Sequence, residues 1–242
     1  MKEQLRELGL TFGDTVLVHS SMKSLKTEKS PKDVIQDILD VIGEEGTLLI
    51  PAFTYVNVTV EEPYFSARET VPCVGVIPRT FRNMDGVVRS IHPTHSVCAC
   101  GKQKDLYIST HYLDETPVGK NSPFMKLKDM NGKLLFIGNV LHACTFMHGV
   151  EEVVNAPYVL RSETTRYVIE DWNGETVEKY MYGHNFHSVD TKYEMIEDIL
   201  EYPDLRKGKV GEANCYLIEA KSLFDTAIEK FASNPLYFVV DK

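Results

Sequence analysis

Apolar positions along the chain fall into two rhythms. "DTVLVHSS" (14–21) first alternates and then runs almost continuously apolar, which predicts a strand. Ser30 and Pro31 then open a helix: serine caps it, proline suits its first position, and Asp33 stands at the third. Val34, Ile35, Ile38, Leu39 and Ile42 form one apolar stripe, and Gly43 or Gly46 ends it. "TLLIPAF" (47–53) predicts a second buried strand. Strand, helix, strand is a βαβ unit, so the two strands are expected to run parallel with both faces covered.

Further along, 54–75 is loop-like, with Pro63, Pro72 and several acidic side chains. "GVIPRTFRNM" (75–84) predicts a short helix. A strand is expected at 94–100, with Pro93 making its start a loop or an edge. "KLLFIG" (133–138) is a third core strand, and a helix over 145–156 should stop before Pro157. "TTRYVIEDWNGETVEKYMYG" (164–183) reads as two strands joined by Asn173-Gly174, a hairpin signal. "EANCYLIEA" (212–220) is another strand. Lys221–Ala232 closes as a helix with Leu223, Phe224, Ala227, Ile228 and Phe231 inward. No repeat, low-complexity tract or flexible linker divides the chain. The expectation is one α/β domain over 1–242, a mixed central β-sheet flanked by helices.

Composition narrows the function classes. The 242 residues are 43% hydrophobic and 25% charged, an ordinary globular balance. A net charge of -9 argues against a nucleic-acid partner, because phosphate binding needs a basic surface. It mildly favours cationic small substrates, although acidity also serves solubility. No apolar run approaches the roughly 18 residues of a membrane span. "MKEQLRELGL" looks like a short amphipathic helix and lacks a signal-peptide core. The 5 cysteines are odd in number and irregularly spaced, which fits a reducing cytoplasm better than a disulfide framework.

Several stretches could carry chemistry. In "LHACTFMHGVEEV" (141–153), His148 and Glu151 stand three apart at helical spacing. A carboxylate one turn away can hold one ring N–H and leave the other nitrogen as a base. A surface His–Glu pair is the plain alternative. Thr145 would start the helix, its hydroxyl capping backbone amides or meeting a ligand. Cys144 beside a helix start offers a rival thiol nucleophile. "RSIHPTHSVCACG" (89–101) holds two histidines and two cysteines, but their spacing does not match the usual zinc sets; a polar ligand groove is the other reading. "HSSMKSL" (19–25) follows the first strand, where ligands commonly bind in open α/β sheets. Ser20, Ser21 and Ser24 offer hydroxyls and amides, and Lys23 a charge, unless the segment is an ordinary polar turn. "HNFHSVDTKYE" (184–194), with His184, His187 and Asp190, is a substrate-side loop or a polar connection.

Taken in order, "GDTVLVHSSMKSL", "EEGTLLIPAFT", "GVIPRTFRNMDGVVRSIHPTHSVCACG", "GKNSPFMKL", "KLLFIGNVLHACTFMHGVEE" and "GKVGEANCYLI" resemble the aminoglycoside N3-acetyltransferase family. That family has its own fold, distinct from the commoner GNAT acetyltransferases. The resemblance spans nearly the whole chain. It implies acetyl-CoA as co-substrate, no metal, and acyl transfer to a primary amine of a small acceptor. It puts the general base on His148, its orienting carboxylate on Glu151 and a carbonyl-side contact on Thr145. It implies donor contacts at Ser20, Ser21, Ser24, Gly75, Val76, Arg89, Ser90, Thr94 and Ser96. Transfer in the family is direct, without an acyl-enzyme. The chain departs from the family pattern at Ala143-Cys144 and in the short 54–75 segment, both on the acceptor side. A Cys144 acyl-enzyme and a non-catalytic CoA-binding module stand as alternatives, and a homo-oligomer is compatible with the sequence.

Overall fold

The computed structural model describes residues 1–242. In chain order its elements are α1 (Lys2–Leu8), β1 (Thr15–Ser20), α2 (Met22–Leu25), α3 (Pro31–Ile42), β2 (Thr47–Pro51), β3 (Tyr64–Ser66) and α4 (Val76–Arg82). There follow β4 (Val88–Arg89), β5 (Val97–Gly101), α5 (Lys104–Ile108), α6 (Pro123–Asp129), β6 (Lys133–Ile137) and α7 (Phe146–Val153). Then come β7 (Leu160–Glu170), β8 (Thr176–His184), β9 (Val189–Thr191), α8 (Ile196–Ile199), β10 (Leu205–Val210), β11 (Ala213–Glu219), α9 (Ala220–Ser233) and β12 (Val239–Asp241).

Strand alternation sorts the core onto two faces of a 7-stranded sheet of order β10-β11-β6-β1-β2-β5-β4. Leu17, Leu49, Leu134 and Phe136 point to one face, towards α6, α7 and α9. Val16, Val18, Leu48, Ile50, Leu135 and Ile137 point to the other, towards α1, α3 and α4. Residues two apart on a strand share a face, so this split follows from the sequence pattern. The middle strands β6, β1 and β2 are parallel, and their outer neighbours β11 and β5 are antiparallel. The sheet is therefore mixed, and the βαβ unit around α3 is present. Its start carries a capping box: Ser30 Oγ accepts from the Asp33 amide, and the Asp33 carboxylate accepts from the Ser30 amide at 3.0 Å. Gly43 ends the helix with φ +66°, a conformation that favours glycine.

A second sheet of three strands, β3-β7-β8, projects from this body. The hairpin turns at Asp171–Glu175, where the Asp171 side chain accepts from the amides of Asn173 and Glu175. The structure corrects three boundaries. The 54–75 segment is not wholly loop: Tyr64–Ser66 pairs in parallel with β7. The strand expected at 94–100 begins at Val97, because a turn at 93–95, which includes Pro93, breaks the ladder. The helix expected over 145–156 ends at Val153, and Asn155 turns left-handed at φ +52°. No helix is long and apolar enough to cross a membrane.

Candidate active site

The carboxyl ends of β6, β1 and β2 open together onto a cavity of about 800 Å³. This is the end where open parallel sheets take ligands. β1 supplies His19 and Ser20 to its wall, the chain after β2 supplies Phe53 and Tyr55, and the chain after β6 supplies Ala143, Thr145 and His148. The hairpin closes the other side with Arg161, Tyr167 and His184.

His148 stands in the first turn of α7. Its Nδ1 lies 3.0 Å from Glu151 Oε2, the contact that the spacing of the two residues predicts. The carboxylate is fully buried while the imidazole keeps 17% exposure towards the cavity. Tyr193 donates its hydroxyl to Glu151 Oε1 at 2.8 Å and Oε2 at 2.9 Å, and Tyr158 donates to Oε1 at 3.0 Å. Tyr193 Oη also sits 2.8 Å from His148 Nδ1. A carboxylate has no proton to give, and both tyrosines spend theirs on it. Nδ1 therefore carries the ring proton, and Nε2 keeps a free lone pair. Burial and the Glu151 charge push both tyrosine hydroxyls well up, so they stay protonated donors. Phe186, His184 and Tyr193 pack the imidazole at ring distances of 4.6, 4.8 and 5.6 Å, which fixes its plane.

Three more histidines line the cavity. His19 stacks on Phe136 at 5.2 Å, and burial lowers it to about 3. Burial likewise holds His95 and His184 well below the usual histidine range. His184 Nε2 contacts Glu152 Oε1 at 2.8 Å, and that same oxygen accepts from the Val118 amide at 2.8 Å. Burial pushes Glu152 up to about 7. The sequence pattern does not single out Tyr158, Tyr193, His19 or Glu152; His95 belongs to the stretch read as a polar ligand groove. Tyr193 is 45 positions from His148, and no local spacing links them.

The expected donor residues divide. Ser20, Gly75 and Thr94 line the cavity. Ser21 and Ser24 stand just beyond, at the start of α2, where Ser24 donates to Ser21 Oγ at 2.9 Å. Val76 follows Gly75 and is 46% exposed. Arg89, Ser90 and Ser96 lie outside the lining, and direct donor contact does not fit them. The Arg89 side chain is buried, donating to Ser96 Oγ at 2.9 Å, Ala52 O at 3.0 Å and Thr70 O at 2.6 Å, with its guanidinium over Phe65. Ser90 accepts from the Val97 amide at 2.9 Å and pairs with His111 Nδ1 at 2.9 Å. Together these three clamp the 89–97 turn that presents Thr94 and His95.

Thr145 lines the cavity but does not cap α7; its hydroxyl reaches only Ala143 O, at 3.4 Å. Cys144 is fully buried in the core behind the helix, and burial pushes its thiol up to about 12. That is the setting of an inert core cysteine, not of a thiolate nucleophile. Cys98 points into the opposite core from His95, so the histidines and cysteines of 92–100 do not converge. No cluster of three histidine, cysteine or carboxylate side chains is placed to hold a metal ion.

Comparison with known proteins agrees with this geometry. The family model described as aminoglycoside 3-N-acetyltransferase matches residues 17–232. The chain belongs to the aminoglycoside 3-N-acetyltransferase family. Membership makes it a CoA-dependent N-acyltransferase. It is 30% identical over 239 residues to aminoglycoside N(3)-acetyltransferase IV of Salmonella sp, covering 98% of this chain and 87% of that protein. The crystal structure of aminoglycoside acetyltransferase AAC(3)-Xa superposes with a TM-score of 0.84 at 25% identity, over 95% of this chain and 90% of the other. AAC-IIIb, solved as a binary complex with CoASH, shares the fold at TM-score 0.83 and 22% identity, over 96% and 94% of the two chains.

Proposed function

We propose that this acetyltransferase moves an acetyl group from acetyl-CoA directly to a primary amine of a small amino-sugar-like or aminoglycoside acceptor. The reading rests most on one observation: His148 faces the cavity with Nδ1 fixed by Glu151 and Tyr193 and Nε2 free. A protonated amine has no lone pair, so it must lose a proton before attack. That proton goes to solvent, and Nε2 takes the next one from the nitrogen as the C–N bond forms. The imidazolium that results is stabilised by the buried Glu151 carboxylate. The C–S bond then breaks, the imidazolium gives its proton to the departing sulfur, CoA leaves as its thiol, and the amide is released. Thr145 is the cavity hydroxyl nearest in sequence to the base and is assigned to the carbonyl oxygen.

The residues present fit a long thioester arm. Gly75 has φ +83°, and a Cβ there would meet nothing within 4 Å, so open space runs along its backbone. Ser20, Ser21, Ser24, Gly75, Val76 and Thr94 are assigned to the donor; Arg89, Ser90 and Ser96 act one layer back. The 5 free cysteines suit a reducing compartment, and we place the protein in the cytoplasm.

The test is thiol release from acetyl-CoA across aminoglycosides, amino sugars and amino-nucleotide sugars, with Cys144→Ala run beside the wild type. Amine-dependent release by both proteins, and no acetyl adduct by mass spectrometry when acceptor is omitted, is the expected result. A stable adduct on Cys144, or loss of turnover in Cys144→Ala, contradicts direct transfer. Acetyl-CoA binding without turnover on any amine leaves only a CoA-binding module.

A further inference from the structure

The cavity is nearly empty of negative charge. Among its lining residues the only carboxylate is Glu61, exposed at the lip, and the only permanent cation is Arg161. The next carboxylates inward are already engaged. Glu151 accepts from His148, Tyr158 and Tyr193, and Glu152 is held by His184 and the Val118 amide. The lining histidines His19, His95 and His184 are neutral, because burial lowers each of them.

An aminoglycoside carries several ammonium groups. One is acetylated; the rest must be desolvated against something negative, or affinity is lost. This wall offers them one carboxylate with a guanidinium nearby, whose charge is felt at Glu61. The same wall suits a different molecule. Arg161 begins β7 and spends one N–H on His184 O at 3.3 Å; its terminal nitrogens make no hydrogen bond or ion pair within the chain. A guanidinium with free forked donors binds phosphate or carboxylate well. Tyr167 stands near it, and Tyr55 lines the same cavity, as flat apolar walls for a ring.

The lining also divides by element. Ser20 and Gly75 are assigned to the donor. Glu61, Arg161, Tyr167 and Gly183 come from the 54–62 segment and the hairpin. The 54–75 segment is where the chain departs from the family pattern on the acceptor side, and Arg161, whose charge is felt at Glu61, goes with it. Resting on the acyltransferase reading above, we infer that the preferred acceptor is a single-amine, sugar-like molecule bearing one anionic group, phosphate or carboxylate, which Arg161 receives.

Glucosamine 6-phosphate, glucosamine and gentamicin serve as probes of three charge types, the first two on one ring. Wild-type kcat/KM is expected to be at least about tenfold higher for glucosamine 6-phosphate than for either of the others. Arg161→Glu should abolish that preference while the KM for acetyl-CoA stays the same. Arg161→Ala, at an exposed strand position, should act in the same direction. A preference for gentamicin overturns the inference and leaves the acyltransferase reading standing. So does a rise in the KM for acetyl-CoA with an unchanged acceptor ratio, which assigns Arg161 to the phosphates of the donor. Turnover of other amines with none of glucosamine 6-phosphate has the same meaning. No turnover of any amine overturns both.

Discussion

Two adjacent glutamates reach two different histidines across the same cavity, and their surroundings make them different groups. Glu151 is fully buried yet takes hydrogen bonds from one imidazole and two phenols. Glu152 has one oxygen bonded to His184 and the Val118 amide, and its other oxygen has no partner at all. Three donors hold both oxygens in the first case. In the second, burial wins and the carboxyl is pushed up to about 7. His148 is therefore backed by a held anion and is exposed enough to meet a substrate. His184 is a buried neutral ring that packs against it at 4.8 Å. Under the proposed function one pair transfers the proton, while the other holds α7 to the hairpin.

Among the groups around His148, breaking the held anion should have the largest effect. Glu151→Gln keeps an acceptor near Nδ1 but removes the charge that stabilises the imidazolium, so turnover should fall about 10–100-fold with acetyl-CoA binding retained. Steady-state kinetics with a fixed amine checks this. Tyr193→Phe removes one donor to that carboxylate, and kcat should fall about tenfold, or ~1.4 kcal/mol. Glu152→Gln should alter turnover least. Its signature is in stability. The native carboxyl holds its proton between the ordinary glutamate range and about 7, while the unfolded one does not, so this group makes the native state less stable as pH rises through that window. Denaturant unfolding at several pH values should show that fall in the wild type and a smaller one in Glu152→Gln.

Much of this arrangement is legible in the chain, for reasons that are local. The Ser30 capping box, the two-residue alternation of β1 and β6, and the Asn173-Gly174 turn each depend on near neighbours. So does the His148–Glu151 contact, which helical spacing alone brings together. The rest depends on contacts between distant segments. Tyr193 is joined to Glu151 only by the fold, 42 positions away. Tyr64–Ser66 is too short and too polar in context to read as a strand, and it forms because β7 offers an edge. Arg89 misleads for a physical reason. The resemblance implies a donor contact there, but the carbonyls of Ala52 and Thr70 and the ring of Phe65 take up its charge inside the protein.

The central claim is that His148 is the base of a direct transfer. It is tested most directly by His148→Ala, measured for acetyl-CoA affinity by calorimetry and for acetyl transfer to the best acceptor. Affinity within about twofold of wild type, with turnover lower by about 10²–10⁴, is the predicted result. Unchanged turnover in that variant would contradict the account.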